Sequence, residues 1–318
     1  MSQFDQDEVF SPVDNEPTVQ SRLKELKTTL PEGIAFHLES VFPKVKGWGW
    51  KKAFKTKLQY IKNTQEILED SLHEGEEVLY ISKGTRYSFV EYYFMGIWAM
   101  MINHTVFVLT NLRLVMIHSS SKGKPKKTLW MIYYSQIDKF KGTWNGMLNL
   151  KLKDGKKLAF TGFPKADRKT MPVIFQEALD RYRETGFDPE SSQSLENLCT
   201  HCKDKVPKHE HDCDNCGATY WKPYELAWRS FIFPSWGDFL MGHTTIAILE
   251  MFGGIMTWTA FVVLLVSGIQ NSNPEDIFVA FFVVGIAHGI DAAITAHIAG
   301  KGLHPKKGPS PLETELPA

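Results

Sequence analysis

Cysteine is scarce in this 318-residue chain: there are four, and all of them fall between 199 and 216. That scarcity excludes a fold stapled by scattered disulfides, and so tight a cluster suits one metal site in a reducing compartment. Excess charge is also missing. Lysine plus arginine number 36 and aspartate plus glutamate 36, so the overall balance selects neither nucleic acid nor an anionic surface, and any such signal must be local. The first 21 residues hold no lysine or arginine and no apolar period. With Asp5, Asp7, Glu8, Asp14 and Glu16 they read as a disordered acidic tail over 1–22, and they lack the basic and apolar regions of a secretory signal. No P-loop, dinucleotide-binding glycine signature, HExxH or GxSxG elbow occurs, so an enzyme is not expected.

What is present divides into modules, as a chain of this length suggests. A helical basic and aromatic region is expected over 23–75. Phe54, Leu58, Ile61, Leu68 and Leu72 recur at helical spacing from Trp50 onward. Lysines including Lys51, Lys52, Lys55 and Lys57 interleave with Trp48, Trp50 and Phe54, and no acid precedes Glu66 within that helix. This composition marks a candidate surface for anionic lipid.

Between 76 and 186 the pattern turns to short β runs. Leu148, Leu150 and Leu152 alternate with polar residues, and Asp154-Gly155 marks a hairpin turn. Met171, Ile174, Phe175, Leu179 and Tyr182 then follow helical spacing up to Gly186. This order, with Leu109-Thr110-Asn111-Leu112-Arg113-Leu114, Tyr134-Ser135-Gln136-Ile137 and the late Asp-Gly hairpin, resembles the bacterial pleckstrin-homology-like (GRAM-like) domains. The resemblance implies a curved antiparallel sheet capped by a C-terminal helix, and it carries no catalytic residues. One stretch departs from it: FVEYYFMGIWAMM at 89–101 is too apolar for an ordinary loop and too short to span a bilayer. Two readings stay open for that stretch, a hairpin buried in its own domain or a wedge on the membrane surface.

A polar linker is expected at 187–198, and a ribbon at 199–222. Cys199-x2-Cys202, ten residues, then Cys213-x2-Cys216 offers two knuckles around one tetrahedral ion. Four thiolates and no open position favour structural Zn2+ over catalysis. Over these residues the chain resembles short zinc ribbons found beside membrane segments in bacterial proteins. Gly217 fits the second knuckle, and Lys203 holds the matching place in the first. His201, His209 and His211 read as solvated loop residues, with replacement of one cysteine ligand as the alternative.

The last module, 226–300, reads as a membrane hairpin with spans near 248–269 and 277–298, each 22 residues long. The connector QNSNPED lacks lysine and arginine, whereas Lys222 and Arg229 precede the spans and Lys301, Lys306 and Lys307 follow them. Both termini, including the 301–318 tail, are therefore expected in the cytosol of a protein integral to a bacterial inner membrane. Ionisable residues inside spans are expensive, so Glu250, His288 and Asp291 form a candidate polar cluster. A first helix starting near Phe239 would put Glu250 and His288 at one depth of ~16 Å. The alternative is a set of interhelical hydrogen bonds that only fixes the hairpin.

The expected fold is thus multidomain α+β: a sheet capped by a helix, a zinc ribbon and two transmembrane helices. The expected function is that of a non-enzymatic, membrane-anchored binding or scaffold protein, with membrane lipids and a protein partner or second copy as partners. Ion or metal handling by Glu250, His288 and Asp291 is one alternative. Nucleic-acid binding is another, and it is disfavoured because Asp204, Glu210, Asp212 and Asp214 offset Lys203, Lys205 and Lys208.

Overall fold

The structure is a computed structural model that describes residues 17–308. Helix α1 (Val19–Glu25), strand β1 (Ala35–Phe36) and the short α2 (Leu38–Val41) lead into α3 (Trp50–Ser71). A meander follows: β2 (Glu77–Tyr87), helices α4 (Phe89–Met95) and α5 (Ile97–Ile102), then β3 (His104–Thr110), β4 (Arg113–Ser119) and β5 (Pro125–Tyr133). Next come β6 (Ile137–Gly142), β7 (Leu148–Leu152), β8 (Lys157–Thr161) and α6 (Asp167–Thr185). The cysteine segment carries β9 (Glu196–Leu198), β10 (Lys205–Val206) and β11 (Thr219–Tyr220). After it run α7 (Pro223–Ile232), α8 (Trp236–Leu240), α9 (Thr244–Gln270), α10 (Pro274–Ala299) and β12 (Pro305–Lys307).

The main sheet is ordered β10-β9-β5-β4-β3-β2-β8-β7-β6, with antiparallel neighbours throughout and β1 added in parallel to β2. The Asp154-Gly155 turn joins β7 to β8, with Gly155 at a φ of 84° that glycine adopts without strain. Period two sorts the side chains of β3 into two cores. Phe107 and Leu109 face α6, which contributes Met171, Phe175 and Leu179, and Val106 and Val108 face α3, which contributes Phe54, Ile61 and Leu68. Because helices cover both faces, β4 is buried along its whole length.

Several boundaries differ from those read in the sequence. The acidic tail lies outside the described residues up to position 16, but its end does not: Thr18 caps α1 by accepting from the Ser21 N–H at 3.2 Å, and Val19 enters the α3-side core. The 23–75 region is a layer of the sheet unit, since α3 shares that core. The 187–198 linker is tied down at both ends of its second half. Glu196 accepts from the Ser192 backbone N–H and hydroxyl at 2.5 Å each, and Glu196–Leu198 pairs with β5.

Helices α9 and α10, of 27 and 26 residues, are long and apolar enough to cross a membrane. Only 6% and 11% of their most apolar stretches are buried, so they are not core helices of the sheet unit. The turn between them is shorter than QNSNPED. Pro274 opens α10, and Asn273 caps it by accepting from the Glu275 N–H at 3.1 Å, which leaves 271–273 as the connector. Gly268 permits the close return, because a Cβ there would lie 2.7 Å from Ile277 Cγ1.

Candidate functional site

The four cysteines converge. Cys199 Sγ lies 3.6 Å from Cys216 Sγ and Cys202 Sγ 3.5 Å from Cys213 Sγ, and all four sulfurs fall within 4.8 Å of one another. These distances exceed the ~2.05 Å of a disulfide, and the group could hold a metal ion. Two similar turns build it. The Lys203 N–H donates to Cys199 O at 3.1 Å and the Gly217 N–H to Cys213 O at 2.8 Å, with φ of 62° and 66°. Lysine therefore pays a strain at the position where the second turn has glycine. Burial alone would raise the Cys199 thiol, but the Tyr220 hydroxyl at 3.0 Å and the N–H groups of Cys202 and His201 bring it down to about 7. Burial raises the Cys202 and Cys213 thiols. His201 and His209 are exposed and His211 is half-buried, and none joins the sulfurs.

This cysteine unit is a joint. Strand β9 pairs with β5 of the sheet, and β11 pairs with β12 from beyond α10. Residues 301–307 are consequently not a free tail; only 309–318 lie outside the described residues. Lys301 anchors this return: its carbonyl accepts from Trp130 Nε1 at 2.8 Å and Arg86 Nη1 at 3.3 Å. Its ammonium meets Glu91 Oε1 at 2.7 Å and Asn103 Oδ1 at 2.5 Å. Gly302 fits against Thr128 and Trp130, where a Cβ would meet Thr128 Cγ2 at 2.4 Å. The sheet is thus fixed to one end of the helical hairpin.

Beside that end, carboxylate oxygens of Asp238, Glu250 and Asp291 come within 4.8 Å of one another. Asp238 was not anticipated, and His288 is not part of the group. His288 Nδ1 donates to Phe231 O at 2.6 Å, satisfying a carbonyl in the last turn of α7. The sequence reading placed Glu250 too deep. Gly242, at a φ of 75°, separates α8 from α9, so α9 starts at Thr244 and Glu250 lies only ~9 Å along it, level with Asp291 instead of His288. Asp238 accepts from His243 Nδ1 at 3.1 Å, and Asp291 from the Ser235 N–H at 3.0 Å.

The basic aromatic patch survives in part. Trp48 is 96% exposed, and Lys51, Lys52 and Lys55 are exposed. Lys57 is not a surface residue: at 6% exposure it pairs with Asp167 at 3.2 Å, lies 3.6 Å over the Tyr80 ring and donates to Ile81 O. Its place on the inward stripe with Phe54 and Ile61 buries it. Trp50 is half-buried, with the Arg22 guanidinium 4.1 Å over its ring. In the 89–101 stretch, burial describes the minority. Glu91 and Ala99 are buried, whereas Phe89, Tyr92, Tyr93, Ile97 and Trp98 are exposed. Glu91 turns inward because Lys301, Asn103 and His297 surround it.

No protein-family model matches this chain, and no curated protein matches it. Among solved structures, a C-terminal domain of an unknown protein from Leishmania infantum matches 37% of this chain and 92% of its own length, with 11% identity and a TM-score of 0.26. A likeness that slight carries no argument.

Proposed function

We propose that this chain is a membrane-anchored, non-enzymatic binding or scaffold protein that holds a pleckstrin-homology-like sheet unit and a zinc ribbon at the cytosolic face of a bilayer. The observation that carries the reading is the Lys301 joint, which fixes the sheet to the end of a hairpin whose apolar surface is otherwise uncovered. Helices of this length exceed the ~30 Å hydrocarbon core, and their unburied Phe252, Val263, Phe278 and Phe282 suit lipid contact. Trp228 and Trp236 are exposed on α7 and α8 beside the sheet-side half of the hairpin, where aromatic residues favour the headgroup boundary, whereas the exposed Phe231 and Phe233 lie deeper, beside His288 and Gly254. Phe89, Ile97 and Trp98 of α4 and α5 would extend that belt as a shallow wedge, with Trp48, Lys51, Lys52 and Lys55 as a separate surface for anionic lipid.

Zinc is the metal the donor set favours. A tetrahedral ion with Zn–S bonds of ~2.3 Å separates its sulfurs by ~3.8 Å, close to the 3.5 and 3.6 Å found here. Bound there, zinc would be structural, locking the strands that link sheet and hairpin. A pleckstrin-homology-like assignment rests on two meanders, β2–β5 and β6–β8, joined by the β2–β8 pairing and followed by α6.

Affinity purification of the tagged chain from solubilised membranes, with identification of co-purifying proteins and lipids, tests the reading. A stoichiometric lipid or protein companion is expected. Recovery from the soluble fraction, or from membranes without any companion, would overturn it. The approach of Asp238, Glu250 and Asp291 favours one second reading, ion handling at the hairpin. Under it, Asp291→Asn would abolish ion flux in vesicles while insertion stays normal.

A further inference from the structure

Three histidines from distant parts of the chain meet under the joint. They are His118 of β4, His243 between α8 and α9, and His304 on the return after α10, each at most 5% exposed. The His243 ring stands edge-on to both others, with its centroid 5.7 Å from that of His118 and 6.2 Å from that of His304. Sheet, hairpin and return therefore each give one imidazole to a single contact. With Thr128 and Trp130 the rings line a cavity of about 20 Å³, which has room for ~1 water. Polar partners are few. His118 Nε2 donates to Ile102 O at 2.7 Å, and His243, held at Nδ1 by Asp238, has its Nε2 buried with no partner.

The fixed charge around the rings is mostly of one sign. Arg86 of β2 and Lys301 of the return line the same cavity, and Lys126 of β5 disfavours a further positive charge on His118 and His304. The nearby acids are Asp238, in contact with His243, and Glu91, which Lys301 and His297 already engage. Burial, then Lys126 and the other two rings, holds His118 well below the ordinary histidine value. Burial, then His243 and Lys126, lowers His304 to about 3. The carbonyls of Ile102 and Ile298 pull the other way and are outweighed. Both folded values lie below the ~6.5 of an unconfined imidazole, so the separated state binds more protons and closure weakens as pH falls through that value.

We propose that His118, His243 and His304 form an acid-opened latch, which holds the 301–307 return and the end of the hairpin on the sheet at neutral pH and releases them when protons enter the cluster. The latch belongs to the joint itself and stands whether or not the hairpin lies in a membrane. Hydrogen–deuterium exchange of the full-length chain in neutral detergent, corrected for the intrinsic exchange rate at each pH, tests it. The Trp221 N–H, which donates to His304 O at 2.8 Å, reports closure directly. Between about pH 7.5 and about pH 5.5, exchange over 219–222 and 301–308 should rise by about tenfold per histidine, while β3 keeps its protection. The H118Q/H304Q variant should lose that rise. It retains all four cysteines, so loosening caused by acid release of a metal from the ribbon would persist in it. If the double variant does not fold, H118Q and H304Q singly should each remove about tenfold of the response. An unchanged rate in the parent chain, an equal rise in the variants, or a matching loss of protection in β3 would overturn the latch.

Discussion

A lysine under a sheet must be paired or neutral, and Lys57 stands between the two states. Burial outweighs the attraction of Asp167 and lowers its ammonium from 10.5 to about 8. The unfolded chain therefore binds the extra proton between those values, so stability should rise with pH from about 8 to 10.5. Thermal unfolding in detergent at stepped pH should show this rise, and it should vanish in Lys57→Met. That variant should also cost about 3–5 kcal/mol at neutral pH, because Asp167 would keep its burial and lose its cation. The sequence showed Lys57 only as one lysine among several. Its burial follows from the helical stripe it shares with Phe54 and Ile61, and charge type alone hides that. The cysteines were legible because ligand spacing is local. Elemental analysis should find one zinc ion per chain, and a metal-free protein whose 196–220 segment still resists protease would contradict the structural site.

Whole elements were legible wherever one side chain in two or in three to four is apolar, or where nearly every one is over some 22 residues. Thus α3, α6, the β7–β8 hairpin and the two long helices follow their sequence patterns. Strand β6 did not announce itself, since IDKFKG is an edge strand with mostly exposed charge and only Ile137 buried. Strand β9 is three residues long, and its pairing partner lies on β5, far away in sequence. The polar group in the hairpin is legible only in part for a related reason: Glu250 and Asp291 lie in the two long helices, but Asp238 belongs to α8, whose approach to α9 and α10 is tertiary. Gly237 shows how tight that approach is. A Cβ there would meet Thr295 Cγ2 at 2.4 Å and Ser230 Oγ at 2.8 Å. Gly237→Ala should consequently destabilise the hairpin by about 1–3 kcal/mol through overpacking. Gly285→Ala and Gly289→Ala face open space and should be tolerated. Thermal denaturation of the three variants in detergent would distinguish them, and an unaffected Gly237→Ala would refute the packing of α8 on α10.

For the molecule as a whole, the joint matters more than any one module. The chain leaves the sheet through β9, forms the cysteine unit, passes along the hairpin and returns through Lys301 and β12 to the same place. Sheet, cysteines and both ends of the hairpin are thereby held together, with residues 271–273 at the far end. No local pattern could have revealed this, because it depends on contacts such as Trp130 to Lys301, 171 residues apart. The anchored account places that joint on the cytosolic side of a bilayer and the connector on the other. Mapping sidedness with a reporter fused after Ala318 and another inserted between Asn271 and Ser272 tests this most directly. The account predicts a cytosolic reporter at Ala318 and an external one at the connector; two reporters on the same side would contradict it.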